Sequence, residues 1–145
     1  MISATLDSSV LVRALHLGSR SAIAILGAAR TGKIRMDVSE PIIGETLRVL
    51  RDRFDWNGDM IHQTRGTLIG IGNMVTPVEA LDVIKEDPDD NRILECAAAA
   101  KSDFIVSEDK DLLRQVSFAT ARIVNISDFP AQVIHAPKHG AGVER

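Results

Sequence analysis

The sequence predicts an α/β fold, a three-layer α/β/α sandwich with a mainly parallel central sheet. Short β-type runs alternate along the chain with segments of helical spacing, and this order builds a parallel sheet covered by helices on both faces. The 145 residues, 45% hydrophobic and 26% charged, suit one soluble domain with a single core. We expect that domain to span residues 1–134 and the polar segment 135–145 to be a disordered tail.

The first half of the chain is expected to contain two strands and four helices. In order, these are a strand at 2–7, helices at 8–16 and 19–30, a strand at 34–39, a helix at 39–54 and a looser, glycine-containing helix at 57–74. Ser19 and Ser39 are candidate N-caps, because a serine hydroxyl can accept a bond from a free N–H of the first turn. Pro41 falls in a first turn, where its missing N–H does no harm.

The second half continues the alternation. In order, we expect a short strand or extended segment at 75–84, a helix from about 88 to 101, a strand at 103–109, a short helix at 110–116, a strand at 121–127 and a last short helix at 128–134. Pro77 argues against a central place in the sheet for the segment 75–84. In a sheet of this kind, ligands bind beyond the carboxyl ends of the strands.

Composition excludes several classes of function. A net charge of −3 and a pI of about 5.8 exclude a polycation, so contact with nucleic acid would need a local basic patch. With no Tyr and one Trp, stacked aromatics are not expected to be the main means of holding a base. The single cysteine, Cys96, excludes an internal disulfide and is expected in the core. We find neither a signal peptide nor a membrane-length apolar run, and predict a cytoplasmic protein.

Acidic residues follow two of the predicted strands at the point where each strand ends. Asp7 comes directly after the first strand, and Asp109 follows Ser107 and Glu108 at the end of the strand 103–109. Each aspartate could serve only as the N-cap of the next helix. Two such strands at one edge of a sheet also favour a functional site, and both interpretations stay open.

The stretch "DPDDN" at 87–91 supplies further carboxylates. At about 100° per residue, Asp90 begins the same helical stripe as Ile93, Leu94 and Ala97, so it is expected to face inward. A charge in that position requires a cation, although the helix dipole alone could favour it. Asp87 is expected to cap the helix, with Pro88 as its first residue. The neighbouring Glu86 and Asp89 are interpreted as solvated charge.

Several carboxylates at one sheet edge repel one another unless a cation neutralises them. Oxygen ligands suit Mg²⁺ or Mn²⁺, and such a site can polarise a phosphodiester, activate water and stabilise the leaving oxygen. The chain has no phosphate-binding G-x-x-x-x-G-K-[ST] loop, no G-x-G-x-x-G and no G-x-S-x-G. The arginines of the helix 39–54 form either a solvated face or a phosphate patch.

Four segments follow one another along the chain: "TLDSSVLVRAL", "SEPIIGETLRVL", "DPDDNRILECAAAAKSDFIVSEDKDLL" and "ARIVNISDF". In this order they resemble the PIN domain family, especially the toxin-like members of the VapC type in prokaryotic toxin–antitoxin systems. The resemblance implies an α/β/α sandwich, an acidic pocket that binds Mg²⁺ or Mn²⁺, and ribonuclease activity. The carboxylates that it matches are Asp7, Glu45, Asp90 and Asp109, with Asp111 as a weaker candidate. Glu45 rests on the resemblance alone, because it lies off the apolar stripe of its helix.

The chain departs from the family pattern at two places. Ser9 stands where the family usually has Asn, and Ser107-Glu108 stands where it usually has Thr-Gly or Thr-Asn. Ser9 and Ser107 keep a hydroxyl at these positions and are expected to support the site. Glu108 adds negative charge near the pocket, which could alter metal affinity or repel RNA.

The sequence therefore predicts a metal-dependent endoribonuclease that acts as the toxin of a toxin–antitoxin pair. The expected partners are RNA, a small antitoxin that covers or inserts into the pocket, and a second copy in a homodimer. The basic residues nearest for RNA phosphates are Arg13, Arg48, Arg92 and Lys110. One alternative is a catalytically degenerate PIN-fold module that acts through protein or RNA contacts. Another is a phosphatase or receiver domain, for which only parts of the motifs are present.

Overall fold

The computed structural model describes residues 1–129, in which strands and helices alternate. The strands are β1 (Ser3–Leu6), β2 (Arg35–Val38), β3 (Asn73–Met74), β4 (Phe104–Val106), β5 (Ser117–Phe118) and β6 (Ala121–Val124). The helices are α1 (Ser8–Val12), α2 (Arg20–Arg30), α3 (Glu40–Phe54), α4 (Gly58–Ile71), α5 (Asp90–Ala100) and α6 (Lys110–Leu113), with a π-helical segment at Arg13–Leu17 directly after α1.

The six strands form one sheet in the order β3-β2-β1-β4-β6-β5. Every neighbouring pair is parallel except β5 and β6, which form an antiparallel edge. All four residues of β1 are buried, as expected for a central strand covered by helices on both faces. The predicted fold class, an α/β sandwich with a mainly parallel sheet, is confirmed.

Local chemistry accounts for most helix boundaries. The Ser19 hydroxyl accepts a hydrogen bond from the N–H of Ala22 at 3.3 Å and so caps α2, as predicted. Ser39 occupies the N-cap position of α3 but forms no side-chain bond to that helix. The predicted helix at 8–16 changes to π-helical spacing at Arg13, and it ends at Gly18, whose φ of 73° is a left-handed conformation that glycine adopts without strain.

The structure corrects several predicted elements. The segment 75–84 contains no strand, which leaves the predicted extended alternative. The edge strand β3 lies just before it, the N–H of Val75 still donates to the Val38 carbonyl of β2 at 2.9 Å, and side chains of α5 bind the later part of the segment. The short antiparallel strand β5 is missed by sequence patterns because two residues carry no periodicity. The predicted helix at 128–134 lies almost wholly, and the tail at 135–145 wholly, outside the described residues.

The core consists of aliphatic side chains from the central strands and the inner faces of the helices. Cys96 of α5 belongs to this core, as predicted, and burial raises the pKa of its thiol to about 11. Within residues 1–129 no single helix is both long and apolar enough to cross a membrane. Ser8–Leu17 and Arg20–Arg30 reach that length and composition only when they are joined across a bend of 103°.

Candidate active site

The central strands β1 and β4 bring two aspartates to the carboxyl edge of the sheet. Leu6 pairs with Val106, and the N–H of Asp7 donates to the Val106 carbonyl at 3.0 Å. Asp7 then caps α1 through the N–H of Ser9 at 3.3 Å. Asp109 caps α6, accepting from the N–H groups of Asp111 and Leu112. The capping interpretation therefore holds for both aspartates, and the same turns point their carboxylates at one cavity.

The hydroxyl of Ser107 connects these two aspartates through hydrogen bonds. Its hydroxyl donates to Asp7 Oδ2 at 2.6 Å and accepts from the N–H of Asp109 at 2.9 Å. The side chain is fully buried, so no water can replace either bond. Ser107 thus fixes one oxygen of Asp7 and the backbone of Asp109 at the same time.

We expect Ser107→Ala to lower the free energy of unfolding by about 1–3 kcal/mol, because it leaves a buried carboxylate oxygen without a donor. Urea denaturation of the purified protein measures this difference. Ser127→Ala is the matched control, since Ser127 is exposed and among residues 1–129 its hydroxyl donates only to Asn125 Oδ1, and we expect it to stay within about 0.5 kcal/mol of the wild type. Equal stabilities of the two variants would contradict the bridging role of Ser107.

Asp90 contributes a third carboxylate from the start of α5. It is only 6% exposed, so it faces inward as its place on the apolar stripe predicts. Its Oδ2 is buried and has no hydrogen-bond partner among residues 1–129. Burial, the charge of Asp109 and a side-chain hydrogen bond to Asp109 raise the pKa of Asp90 to about 8, with smaller contributions from the charges of Asp87 and Asp7. A carboxylate in this environment gains most from a neighbouring cation.

Oxygens of Asp87, Asp90 and Asp109 lie within 4.8 Å of one another and could hold a metal ion. They line a cavity of about 560 Å³, together with Asp7, Ser9 and Glu45. The predicted capping bond of Asp87 is present, because its Oδ1 accepts from the N–H of Asp89 at 3.1 Å. The helix itself begins at Asp90, two residues later than predicted, so this bond lies in the turn that leads into it. This turn places Asp87 at the cavity, which helical periodicity could not predict.

Comparison with known proteins is consistent with this architecture. A family profile described as PIN domain matches residues 3–111. The chain belongs to the PIN domain family. The fold is similar to that of one chain in the crystal structure of VapBC2 from Rickettsia felis, which was solved bound to a fragment of promoter DNA. The TM-score is 0.59 at 11% identity, over 86% of this chain and 98% of that chain. No curated protein matches significantly.

Glu45 and three arginines line the cavity of this PIN domain. Glu45 forms an ion pair with Arg48, one turn further along α3. Arg13 is exposed, whereas Arg92 is bound to Glu95 at 2.8 Å and to the Leu81 carbonyl at 3.2 Å. Arg13 and Arg48 are therefore better placed than Arg92 to meet a phosphate.

Lys110 and Asp111, which the sequence predicts at the site, do not line the cavity, and Glu108 lines it with one oxygen already hydrogen-bonded. Within the described part of the chain, Lys110 and Asp111 are not among the lining residues, and Asp111 pairs with Arg114 at 3.1 Å. Glu108 lines the cavity, but its Oε2 accepts from the N–H of Ile126 at 2.7 Å. That bond holds one oxygen of Glu108 against the backbone just after β6. It thereby limits the electrostatic repulsion between Glu108 and a negatively charged ligand.

Asn91 holds the segment that carries Asp87 against α5 in this PIN domain. Its Oδ1 accepts from the N–H groups of Val83 and Ile84, and its Nδ2 donates to the Ile84 carbonyl, all within 2.9 Å. Glu95 adds a bond to the N–H of Leu81 at 2.7 Å. Sequence analysis missed both residues. A usable signal was present, because Asn91 and Glu95 are polar side chains four apart on a helix that is otherwise largely apolar.

Proposed function

We propose that this PIN domain is a metal-dependent endoribonuclease whose metal site is formed by Asp87, Asp90 and Asp109. The observation that carries the proposal is the buried Oδ2 of Asp90, which lies among other carboxylates and has no hydrogen-bond partner in the described part of the chain. A buried anion without a donor is costly unless a cation pairs with it. Mutual repulsion among the three carboxylates adds to that cost, and both terms are relieved by one divalent ion.

The donor set fits Mg²⁺ or Mn²⁺. All the ligand atoms available in the cluster are carboxylate oxygens, which hard divalent cations prefer. Asp7 lies beside the cluster, with one oxygen held by Ser107, and it is the candidate for an outer or water-mediated contact. When bound, the ion supplies a Lewis acid for the phosphodiester and lowers the pKa of a water molecule.

The remaining residues of the cavity would bind and orient the RNA. Arg13 and Arg48 are the cations that line the cavity with room to reach a phosphate. A phosphate oxygen that engages Arg48 would compete with Glu45 for the guanidinium and free the Glu45 carboxylate to orient an attacking water or to accept its proton. Hydrolysis would leave a 5′-phosphate and a 3′-hydroxyl. Ser9 and Ser107 would act as supporting hydroxyls, with Lys110 and Asp111 contributing little.

We further infer that the protein acts as the toxin of a toxin–antitoxin pair in the cytoplasm. The fold similarity to a chain of the VapBC2 complex supports this inference, because that complex is an assembly of two kinds of chain. The antitoxin would be a small protein with a segment that covers or enters the acidic cavity, and the toxin would form a homodimer. The alternative is a degenerate PIN-fold binding module, which the substitutions at Ser9 and Glu108 favour.

The deciding experiment is cleavage of labelled RNA by the purified protein. We expect cleavage with Mg²⁺ or Mn²⁺, none with EDTA, and a loss of at least about 100-fold in Asp7→Asn. Asp59→Asn, on the exposed first turn of α4, is the matched control and should cleave like the wild type. Equal cleavage by wild type and Asp7→Asn, or cleavage that survives EDTA, would reject a metal-dependent nuclease at this cavity. RNA binding without any cleavage would favour the degenerate module.

A further inference from the structure

The aromatic side chains of the described residues are few, and three ring residues meet at one exposed point. His16 lies 4.2 Å from Phe54 between ring centroids and 5.9 Å from Trp56. His16 is exposed, whereas Phe54 and Trp56 are partly buried and pack against the core. The last two residues are fixed by the end of α3, where Asp55 turns left-handed at φ 59° and the N–H of Trp56 donates to the Leu50 carbonyl. The rings therefore sit on a rigid base.

A hydrogen bond sets the orientation of the His16 ring. Trp56 Nε1 donates to His16 Nδ1 at 3.0 Å. The Phe54 ring lies at 33° to the imidazole and covers one side of it. These two contacts fix the rotation of the exposed imidazole, and a fixed ring loses little conformational entropy when a planar ligand stacks on it.

This aromatic cluster is carried by the same two elements as two of the cavity arginines. Arg13 lines the cavity and opens the π-helical segment, and His16 is three residues further along the same segment. Arg48 lines the cavity from α3, and Phe54 lies six residues later on that helix, about 9 Å away at 1.5 Å per residue. Each of the two elements thus carries a cavity arginine followed by a ring of the cluster.

We propose that His16 and Trp56 form a base-stacking subsite for single-stranded RNA next to the cavity. This inference rests on the proposed nuclease function. Arg13 and Arg48 would contact phosphates. A base of the adjoining nucleotides would stack on the exposed imidazole of His16, with the Trp56 indole edge-on beside it at 64°. Stacking on an aromatic ring tolerates any base because every base has a π-face, so the subsite would select unpaired RNA without reading its sequence. Because the chain has few aromatic residues, stacking at this subsite would add to the RNA contacts made by the metal ion and the arginines and would not replace them.

Trp56 is the only tryptophan of the chain, which makes its fluorescence a direct probe of the subsite. The full-length protein with Asp90→Asn, which leaves RNA uncut, is titrated in Mg²⁺ with a single-stranded oligoribonucleotide. A second oligomer of the same length carries abasic residues and so keeps the phosphates but lacks bases. We expect saturable quenching by the first oligomer and none by the abasic one, with binding of each followed by anisotropy. RNA binding without any change in fluorescence would overturn the subsite.

Variants of His16 separate stacking from general structural damage. His16→Ala is expected to weaken binding of the single-stranded RNA by about 5- to 30-fold and to leave the abasic oligomer unaffected. His16→Phe should retain most of the affinity because it keeps a ring. His62→Ala, an exposed histidine on α4, is the matched control and should bind like the wild type. An equal loss for both oligomers would attribute the effect to a displaced Arg13 and reject stacking.

The outcomes distinguish this inference from the nuclease proposal. In the otherwise wild-type protein, His16→Ala is expected to raise the KM for RNA cleavage by the same 5- to 30-fold with little change in kcat. Normal cleavage with an unchanged KM would reject the subsite and leave the nuclease intact. Quenching of Trp56 by RNA in a protein that never cleaves would support the subsite and reject the nuclease.

Discussion

Asp90→Asn is expected to reduce RNA cleavage by at least about 100-fold while it raises the melting temperature of the metal-free protein. The two effects have one cause. Asp90 is nearly inaccessible, no described residue donates a hydrogen bond to its Oδ2, and Asp109 and Asp87 lie beside it. Without a cation, the ionised side chain destabilises the fold. With a cation, the same side chain contributes a ligand that the neutral amide replaces poorly.

The stability effect has a defined pH dependence. Burial and the charge of Asp109 raise the pKa of Asp90 from 3.8 to about 8. Between these two values the folded state holds a proton that the unfolded state has lost, so stability falls as pH rises through this interval. Above about pH 8 the Asp90 side chain is ionised in both states, and the full cost of burying its charge lowers the stability of the fold. The gain from Asp90→Asn should therefore be near zero at pH 4 and largest above pH 8.

Thermal unfolding in EDTA from pH 4 to pH 9 measures this effect. At pH 9 we expect Asp90→Asn to melt about 3–5 °C above the wild type, which corresponds to roughly 1 kcal/mol for a domain of this size after allowance for solvent screening in an open cavity. With Mg²⁺ the order should reverse, because an ion at 100 times its Kd stabilises the wild type by about 2.7 kcal/mol. A variant that is less stable than the wild type in EDTA at pH 9 would contradict the argument.

Asp87→Asn tests how far the cluster extends. If Asp87 only began a helix, its amide would preserve the response of the melting temperature to Mg²⁺. Because its carboxylate oxygen lies within 4.8 Å of those of Asp90 and Asp109, we expect a weaker Mg²⁺ response than in the wild type. Asp59→Asn serves again as the unaffected control.

The sequence predicts the site where local rules and topology agree. Asp7 and Asp109 follow strands, and alternating strands and helices imply that such ends meet at one edge; the neighbouring positions of β1 and β4 bring them together. Asp90 was selected by its place on an apolar stripe. Asp87 forms the capping bond that the sequence predicts, but its place in the cluster is not predictable, because a turn before α5 sets its direction and turn geometry has no periodicity to detect.

Asp37 shows a different limit of sequence analysis. It lies in β2 between Met36 and Val38, and alternation within the strand gives no sign that a carboxylate is fully buried there. Besides Arg35, two residues earlier on the same strand, its partners come from distant parts of the chain, Asn73 and Ser102 among them. Single-sequence patterns describe neighbours along one element, so the contributions of residues 36 and 65 positions away are visible only in three dimensions.

Asp37→Ala is expected to lower the free energy of unfolding by about 3–4 kcal/mol, the largest stability loss that the described residues predict. Asp37 Oδ1 accepts from Arg35 Nε at 2.7 Å and Oδ2 accepts from the Ser102 hydroxyl at 2.6 Å. Removing one member of a buried ionic network leaves the others without partners. The resulting loss in the free energy of unfolding is larger than the net stabilisation that the pair contributes. Arg35 is 41% exposed and can turn to water, which keeps the expected loss below the upper limit for such pairs.

Urea denaturation at pH 7 measures the loss, and two further variants define its origin. Asp52→Ala removes an exposed carboxylate that pairs with the adjacent Arg51 and should change stability by less than about 0.5 kcal/mol. Asp37→Asn keeps the shape and an acceptor for Ser102, so its loss should be smaller than that of the alanine variant. The Ser102 hydroxyl also lies 2.8 Å from that of Thr5 in β1, which links Asp37 to the strand that ends at Asp7. A loss below about 1 kcal/mol in Asp37→Ala would mean that this network does not hold the central strands in place.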